Sequence, residues 1–461
     1  MSTASMRSIR VSKAAPTFDF CLIPPLVVCV YALIISPMLI FLYPGPPHNL
    51  AAPRVENKIF WPLVAAIALG CLALRYRSRL AWPPHIVWFA AYLAFTGTSV
   101  VWAFKPEISF SRFATQMMML IAIMPLMFAG RRADIMPKIF YCYAVGAILN
   151  MALILGGYSV QSEAMGLKIG YPGYFTFKGE LGEFAAFAFL FSLYEIIHSG
   201  WRRARGLIIG ATTLYLVIVS MSKGSLGCAL LAALLATVVL LVGRKMRVSP
   251  PIVLSPLLIG YAVLSAMLGD LINRISWHIY GNYDLSGRIY IWQFVDLEIA
   301  KKPLFGWGYR SIWLVGPDSP TLTDTGSWVG RMPSAHNGYL DMMLDTGYVG
   351  LILFIVFIFA TLRAIGRVTD RDPARAWLLL SIALFISLQN FLESAWMEGA
   401  EALWFMFVIV AAEAARYWQP VQRGLAAAAP VLPTPAFAGR RPVFARAEGA
   451  DWLTRRPDIR T

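Results

Sequence analysis

The sequence predicts an all-α, polytopic integral membrane protein with about twelve transmembrane helices and one large loop. Of its 461 residues, 58% are hydrophobic and only 14% are charged. The mean hydropathy is +0.62, and a soluble protein of this length would carry more charge. Apolar runs of roughly 16 to 27 residues recur along the whole chain, which is about the length needed to cross the hydrocarbon core of a bilayer.

Twelve such runs are predicted as spans. They are Leu22–Tyr43, Ile59–Leu74, His85–Phe104, Phe113–Ala129, Ile139–Gly156, Leu181–His198, Gly206–Met221, Leu226–Val242, Ile252–Leu268, Gly338–Leu362, Ala376–Asn390 and Ala400–Arg416. The chain then divides into a cytoplasmic N-terminus (1–21), nine helices (22–268), a large loop (269–337), three helices (338–416) and a disordered basic tail (417–461). The tail is rich in Ala, Pro and Arg, a composition that cannot bury a core.

The chain has a net charge of +15, and the positions of its basic residues predict the orientation in the membrane. Short Lys/Arg clusters follow spans two, four, six, eight and ten, and all fall on one side if every span crosses. Positive residues accumulate on the cytoplasmic side, so both termini are predicted there. In a soluble protein this charge would suggest nucleic acid, but clusters that lie between apolar runs argue against a nucleic-acid partner and suit contact with membrane lipid.

The sequence also argues against disulfide, metal and nucleotide sites. All five cysteines lie in or beside apolar segments without CxxC spacing, as small membrane hydrophobes do. The sequence contains no P-loop glycine pattern, and neither a metal nor a cofactor is expected. The large loop is instead rich in Trp, Tyr, Gly and Asp, and a loop of that length between spans is usually functional.

A polar stretch at the end of this loop carries the strongest functional signal. It runs through Ser334-Ala335-His336-Asn337-Gly338 and leads directly into the tenth span. A histidine at this boundary can meet both water and a lipid-anchored molecule, and imidazole is a natural proton acceptor near neutral pH. His336-Asn337 is followed, after nine residues, by Gly347-Tyr348-Val349-Gly350.

This pattern resembles that of the O-antigen ligase and polysaccharide polymerase superfamily, including exopolysaccharide polymerases. The loop motifs Ser286-Gly287-Arg288 and Pro303–Gly308 also fit. The resemblance implies a bacterial inner-membrane glycosyltransferase that moves a glycan from an undecaprenyl-pyrophosphate carrier to an acceptor hydroxyl on the periplasmic face. The acceptor would be another glycan or lipid A-core, and chain-length regulator and flippase proteins are the implied protein partners.

Under this resemblance His336 is the candidate general base and Arg288 the candidate catalytic cation for the departing pyrophosphate, because guanidinium binds phosphate oxygens in pairs. The predicted substrate-binding residues are Arg310, Lys178, Lys223, Asn337 and Asp341. Each has a structural alternative. The arginines could form loop ion pairs, the lysines could be snorkelling anchors, and Asp341 and Asp345 could serve the helix dipole. For Glu393 and Glu398, simple solvation is favoured over contact with sugar hydroxyls.

Three functions compete. A polymerase would use a second lipid-linked repeat unit as acceptor, and the loop sequence around His336 favours this function. An O-antigen ligase would use lipid A-core. A flippase for lipid-linked oligosaccharide would suit twelve spans, but matched broken helices and ionisable residues in mid-span are not evident.

Overall fold

The computed structural model describes residues 19–43, 55–75, 82–130, 133–164, 167–268, 277–278, 288–325, 328–399 and 401–418. The predicted disordered tail (beyond Trp418), Arg274 and Ser286-Gly287 lie outside these ranges. Each of the twelve predicted spans is helical over most of its described residues. The helices are α1 Phe20–Leu42, α2 Val55–Arg75, α3 Pro84–Ser99, α4 Pro106–Ile123, α5 Met136–Leu155, α6 Lys178–Ile196, α7 Trp201–Val219, α8 Lys223–Met246, α9 Pro250–Leu268, α10 Arg288–Lys301, α11 Pro320–Thr323, α12 Gly338–Val368, α13 Pro373–Gln389 and α14 Ala402–Trp418.

Short irregular elements lie between and within these helices. Single 3₁₀ turns occupy Val100–Trp102, Met124–Phe128 and Trp328–Arg331, and Tyr31–Ile35 forms a π turn inside α1. The strands β1 (Ser162–Ala164) and β2 (Leu167–Gly170) pair as a small antiparallel hairpin. The predicted α-helical fold class is confirmed, and this small hairpin lies in the loop between α5 and α6.

Among the residues that the structure describes, seven helical segments are both long and apolar enough to cross a membrane: Phe20–Leu42, Glu56–Leu74, Pro84–Trp102, Pro106–Phe128, Met136–Leu155, Lys223–Met246 and Gly338–Val368. Pro250–Gly260 and α13 are apolar but shorter. The helices α6 and α7 carry more charge, with three arginines in the first turns of α7. The chain is thus a multi-pass α-helical membrane protein, and the count of twelve crossings stays a prediction.

Aromatic packing holds α12 at the centre of the bundle. The rings of Phe89 on α3 and Phe357 on α12 stack with centroids 4.4 Å apart. Trp396, in the α13–α14 connection, packs edge-on against Phe354 and Trp404. Each such pair adds roughly 0.5–1.5 kcal/mol beyond its buried area. The result is a rigid base beneath the first turns of α12 and α14.

The described part of the large loop is folded and has a small core of its own. Its buried members are Ile291, Phe294, Val295, Ile299, Ile312, Trp313, Val329, Ala335 and Leu344. Leu344 belongs to α12, so this second core attaches the loop to that helix. The loop is therefore a compact cap on one end of the bundle.

A network of buried charges closes the opposite end. Glu413 on α14 is fully buried, and one of its oxygens accepts a hydrogen bond from Arg375 at 2.6 Å. Its other oxygen pairs with Arg416, whose guanidinium also donates to the carbonyl oxygen of Ala133. Arg375 pairs in addition with Asp134 at 2.5 Å. These contacts join α13, α14 and the start of α5.

Replacing Glu413 with glutamine is expected to destabilise the protein by about 3 kcal/mol, because two buried guanidinium groups would lose their shared carboxylate. Thermal unfolding in detergent would measure the loss. The control is Glu107→Gln, which removes an exposed carboxylate at the start of α4 and should leave the transition temperature unchanged. An unfolding temperature for Glu413→Gln equal to that of the control would contradict a stabilising role for the network.

Candidate functional site

The site depends on a break in α12 at Gly347, where a segment of the loop docks on the helix. Gly347 has φ 63° and ψ −168° inside an otherwise helical segment, a conformation that is essentially open only to glycine. The break frees carbonyl oxygens on one side, so the backbone N–H groups of Trp307 and Gly308 donate to Leu344 and Asp345, both at 2.8 Å. On the other side, the N–H of Tyr348 donates to Pro303 at 2.9 Å.

The glycines of the sequence motif therefore have a structural purpose. A Cβ on Gly347 would lie 2.3 Å from the carbonyl group of Leu304, and one on Gly306 would lie 2.5 Å from the backbone of Asp345. Contact this close between two backbones is possible only without side chains. The docked segment Pro303–Gly308 ends two residues before Arg310, so its docking on α12 also restricts where this arginine lies.

Alanine at position 347 is expected to destabilise the protein by about 3 kcal/mol, because it combines a glycine-only conformation with a backbone clash. Thermal unfolding in detergent would show this. Gly227→Ala on α8 is the matched control, since a Cβ there meets no atom within 4 Å and alanine favours helix by ~1 kcal/mol. Equal unfolding temperatures for the two variants would contradict the account of the break.

The backbone around His336 is held from three directions. The N–H of Ala335 donates to both carboxylate oxygens of Asp341 at 3.1 Å, and the carbonyl oxygen of Ala335 accepts from the indole of Trp292 at 3.0 Å. The side chain of Asn337 caps α12 by accepting from the N–H groups of Tyr339 and Leu340. His336 itself has φ +49°, a strained value for a non-glycine residue that is typical of functional positions.

The imidazole of His336 points toward the α13–α14 connection. Its Nδ1 lies 2.9 Å from Oε2 of Glu393, and Oε1 of Glu393 accepts from the guanidinium of Arg288 at 2.7 Å. The side chains are 31% exposed for His336, 33% for Glu393 and 19% for Arg288, so a substrate can reach them. Among the described residues, no hydrogen bond involves Nε2 of His336. One carboxylate thus links the two predicted catalytic residues and leaves one ring nitrogen available.

The neighbouring Arg310 has a similar arrangement. It also adopts a positive φ, of 46°, and its guanidinium donates to Glu398 at 3.0 Å. Its carbonyl oxygen accepts from Arg112 on α4 at 2.5 Å. The carbonyl of the preceding Tyr309 accepts from Ser109, also on α4, at 2.6 Å. Residues of α4 therefore fix the backbone that carries Arg310.

The other predicted cations lie at the first residues of α6 and α8. Burial and the nearby charge of Lys223 lower the pKa of Lys178. Gln389, the last residue of α13, donates to the carboxylate of Glu183 on α6 at 3.0 Å and to the hydroxyl of Ser225 on α8 at 3.3 Å. The beginnings of α6, α8 and α12 therefore meet at the same end of the bundle, and the predicted cations share it with a group of carboxylates.

Asp341 and Asn337 have roles within the protein. Besides Ala335, the carboxylate of Asp341 accepts from the indole of Trp313 at 2.7 Å and from the hydroxyl of Ser394. The same Ser394 hydroxyl accepts from the N–H of Asn337 at 2.9 Å. The oxygens of both side chains accept hydrogen bonds from protein donors, which positions the loop, and substrate binding by Asp341 and Asn337 stays a prediction.

The sequence does not predict the contacts of two glutamates. The expectation that Glu393 and Glu398 are simply solvated is wrong, since both form ion pairs with the predicted arginines. The aromatic residues of the loop divide into two groups. Trp292, Trp307, Tyr309 and Trp313 donate hydrogen bonds within the protein, whereas Tyr290 and Trp328 are exposed.

Several known proteins are similar to this chain in sequence. Residues 208–355 match the family model described as O-Antigen ligase, a range that contains Lys223, Arg288, Arg310 and His336. The chain is 23% identical over 337 residues to the exopolysaccharide production protein ExoQ of Rhizobium meliloti, covering 70% of this chain and 76% of that protein. It is also similar to proteins named "Putative polysaccharide ligase" from Rickettsia conorii (30% identity) and Rickettsia bellii (34%), each over 22% of this chain and 24% of the relative. The resemblance to the O-antigen ligase family that was drawn from the sequence is thereby confirmed over residues 208–355.

Proposed function

We propose that this protein is a glycosyltransferase of the bacterial inner membrane that moves a glycan from an undecaprenyl-pyrophosphate carrier to an acceptor hydroxyl on the periplasmic face. In this proposal it polymerises the repeat units of an exopolysaccharide or O-antigen. The observation that carries the proposal is the contact of Glu393 with both His336 and Arg288, at a strained loop that joins the cap to α12.

Glu393 supports a general-base role for His336. A carboxylate only accepts hydrogen bonds, so the ring proton of a neutral imidazole lies on Nδ1 and the lone pair on Nε2. Nε2 then removes the proton from the acceptor hydroxyl as its oxygen bonds to the anomeric carbon of the donor sugar. The bond from that carbon to the pyrophosphate oxygen breaks, and the carrier pyrophosphate leaves with the electron pair.

The cations around this centre suit the departing pyrophosphate. Arg288 uses one terminal nitrogen on Glu393 and Arg310 one on Glu398, which leaves further N–H donors on each guanidinium fork for phosphate oxygens. Lys178 and Lys223 add two point charges at the same end of the bundle. Their mutual repulsion would be relieved when a dianionic group binds between them.

A relative and the family model favour different acceptors. The similarity to an exopolysaccharide production protein supports the polymerase, whereas the description of the family model supports a ligase that transfers the glycan to lipid A-core. The flippase alternative has less support. The His336–Glu393–Arg288 contacts suit proton transfer and cleavage of the bond between a sugar and its pyrophosphate, and a transporter needs neither.

Reconstitution separates these alternatives. The purified chain is given one lipid-pyrophosphate-linked repeat unit and no second acceptor, and the products are resolved by chain length. We expect a ladder of polymer lengths. Transfer only after lipid A-core is added would establish the ligase, and transport of the lipid-linked unit without any new glycosidic bond would overturn the proposal.

A further inference from the structure

A basic cavity lies at the end of the bundle opposite His336. It has a volume of about 480 Å³ and opens between the end of α8, the start of α9 and the end of α12. Its lining includes four exposed arginines and one aspartate, namely Arg244, Arg247, Arg363, Arg367 and Asp370. Within the described part of the chain, none of the four arginines forms an ion pair. The cavity therefore has a surplus of positive charge that favours an anion.

Two further features of the cavity suit a phosphate group. The hydroxyl oxygen of Thr369 is buried in its lining and lacks a hydrogen-bond partner among the described residues. Ser249 and Pro250, at the N-terminal end of the 19-residue helix α9, also line it. The first two residues of this helix are prolines without N–H groups, so this end contributes only the partial positive charge of the helix dipole, which favours an anion.

An apolar groove continues from this cavity. It has a volume of about 630 Å³, and Trp88, Ile252, Ile355 and Phe359 are among its lining residues. The groove shares Ser249, Arg363 and Arg367 with the basic cavity. The positive charge and the hydrocarbon surface are thus parts of one continuous depression, and a free phosphate ion would use only half of it.

We propose that this depression binds one anionic phospholipid, with its phosphate on the arginines and an acyl chain along the groove. Arginine pairs between membrane helices are suited to lipid phosphates. Arg363 lies 25 residues after Gly338 along α12, which is on the order of 35 Å at 1.5 Å per residue. The lipid site is therefore separate from the site around His336.

The test uses the full chain purified in a neutral detergent, with binding of phosphatidylglycerol followed by native mass spectrometry. We expect phosphatidylglycerol to bind at least tenfold more tightly than phosphatidylcholine. The double variant Arg363→Gln/Arg367→Gln is expected to weaken phosphatidylglycerol binding about tenfold or more. The control Lys245→Gln removes an equal type of charge beside Arg244 but outside the cavity lining, and it should bind as the wild type does.

Other outcomes would overturn the proposal. Equal binding of the two lipids, or equal losses in the double variant and the control, would indicate non-specific contact with the protein surface. Displacement of phosphatidylglycerol by millimolar inorganic phosphate would indicate a simple anion site. A separate variant tests the groove. Ile355→Trp fills it and should weaken phosphatidylglycerol binding. Unchanged binding in this variant, at wild-type thermal stability, would exclude the groove as the place of the acyl chain.

Discussion

His336→Ala is expected to reduce glycan transfer by ~10²–10⁴-fold, the usual effect of removing a general base. The protein should still fold and insert, because the neighbouring backbone is held by Asp341 and Trp292 and not by the imidazole. The imidazole of His336 is 31% exposed, so its replacement by alanine removes no side chain from the core. The rate of transfer in reconstituted membranes and the thermal unfolding of the same preparation would measure both properties.

The control for this prediction is His198, just after the end of α6, whose Nδ1 donates to the carbonyl oxygen of Tyr194 at 2.9 Å. His198→Ala should keep nearly full activity. Transfer by His336→Ala within a few-fold of the wild-type rate would exclude His336 as the base. A collapsed thermal stability would instead assign it a structural role.

Glu393→Gln is expected to reduce the turnover number by about 10²–10³-fold with little change in KM. A glutamine amide can donate to Nδ1 of His336, which would move the ring proton to Nε2 and block its action as a base. The same change leaves Arg288 without its carboxylate. Steady-state rates measured against donor concentration would separate the effect on turnover from an effect on binding.

Two comparisons test whether Glu393 acts through His336. Glu393→Asp keeps the charge and should recover part of the activity. In the double variant with His336→Ala, the loss should be no larger than for His336→Ala alone, because residues that act as one unit are not additive. Additive losses, or loss of stability with normal turnover in the folded fraction, would contradict the proposed role.

The helices were predictable because hydropathy reports directly on the environment of each segment. The ends of the helices were less so. The span predicted from Phe113 begins at Pro106 in the structure, since Ser109 and Arg112 on its first turns contact the loop through hydrogen bonds. Likewise α12 continues past Leu362 to Val368, because its last turn carries arginines that end an apolar run but not a helix.

The candidate site was predictable only where a local motif marks it. His336 and Gly347 belong to one short pattern, and Arg288 and Arg310 follow recognisable loop motifs. Glu393 is 57 residues from His336 in the chain and is brought to it by the packing of α12 against the α13–α14 connection. Nothing in the sequence near Glu393 indicates this contact. The role of the motif glycines also required the structure, because it depends on the segment Pro303–Gly308 docking at the break in α12.

The most direct test of the central claim measures two products in the same reaction. Purified wild-type and His336→Ala proteins receive an equal amount of a lipid-pyrophosphate-linked repeat unit, and both the new glycosidic bonds and the released carrier pyrophosphate are counted over time. The account predicts one carrier released for each bond formed by the wild type, and almost neither product from the variant. Equal rates in the two proteins would contradict it, because the proton of the acceptor would then leave without His336.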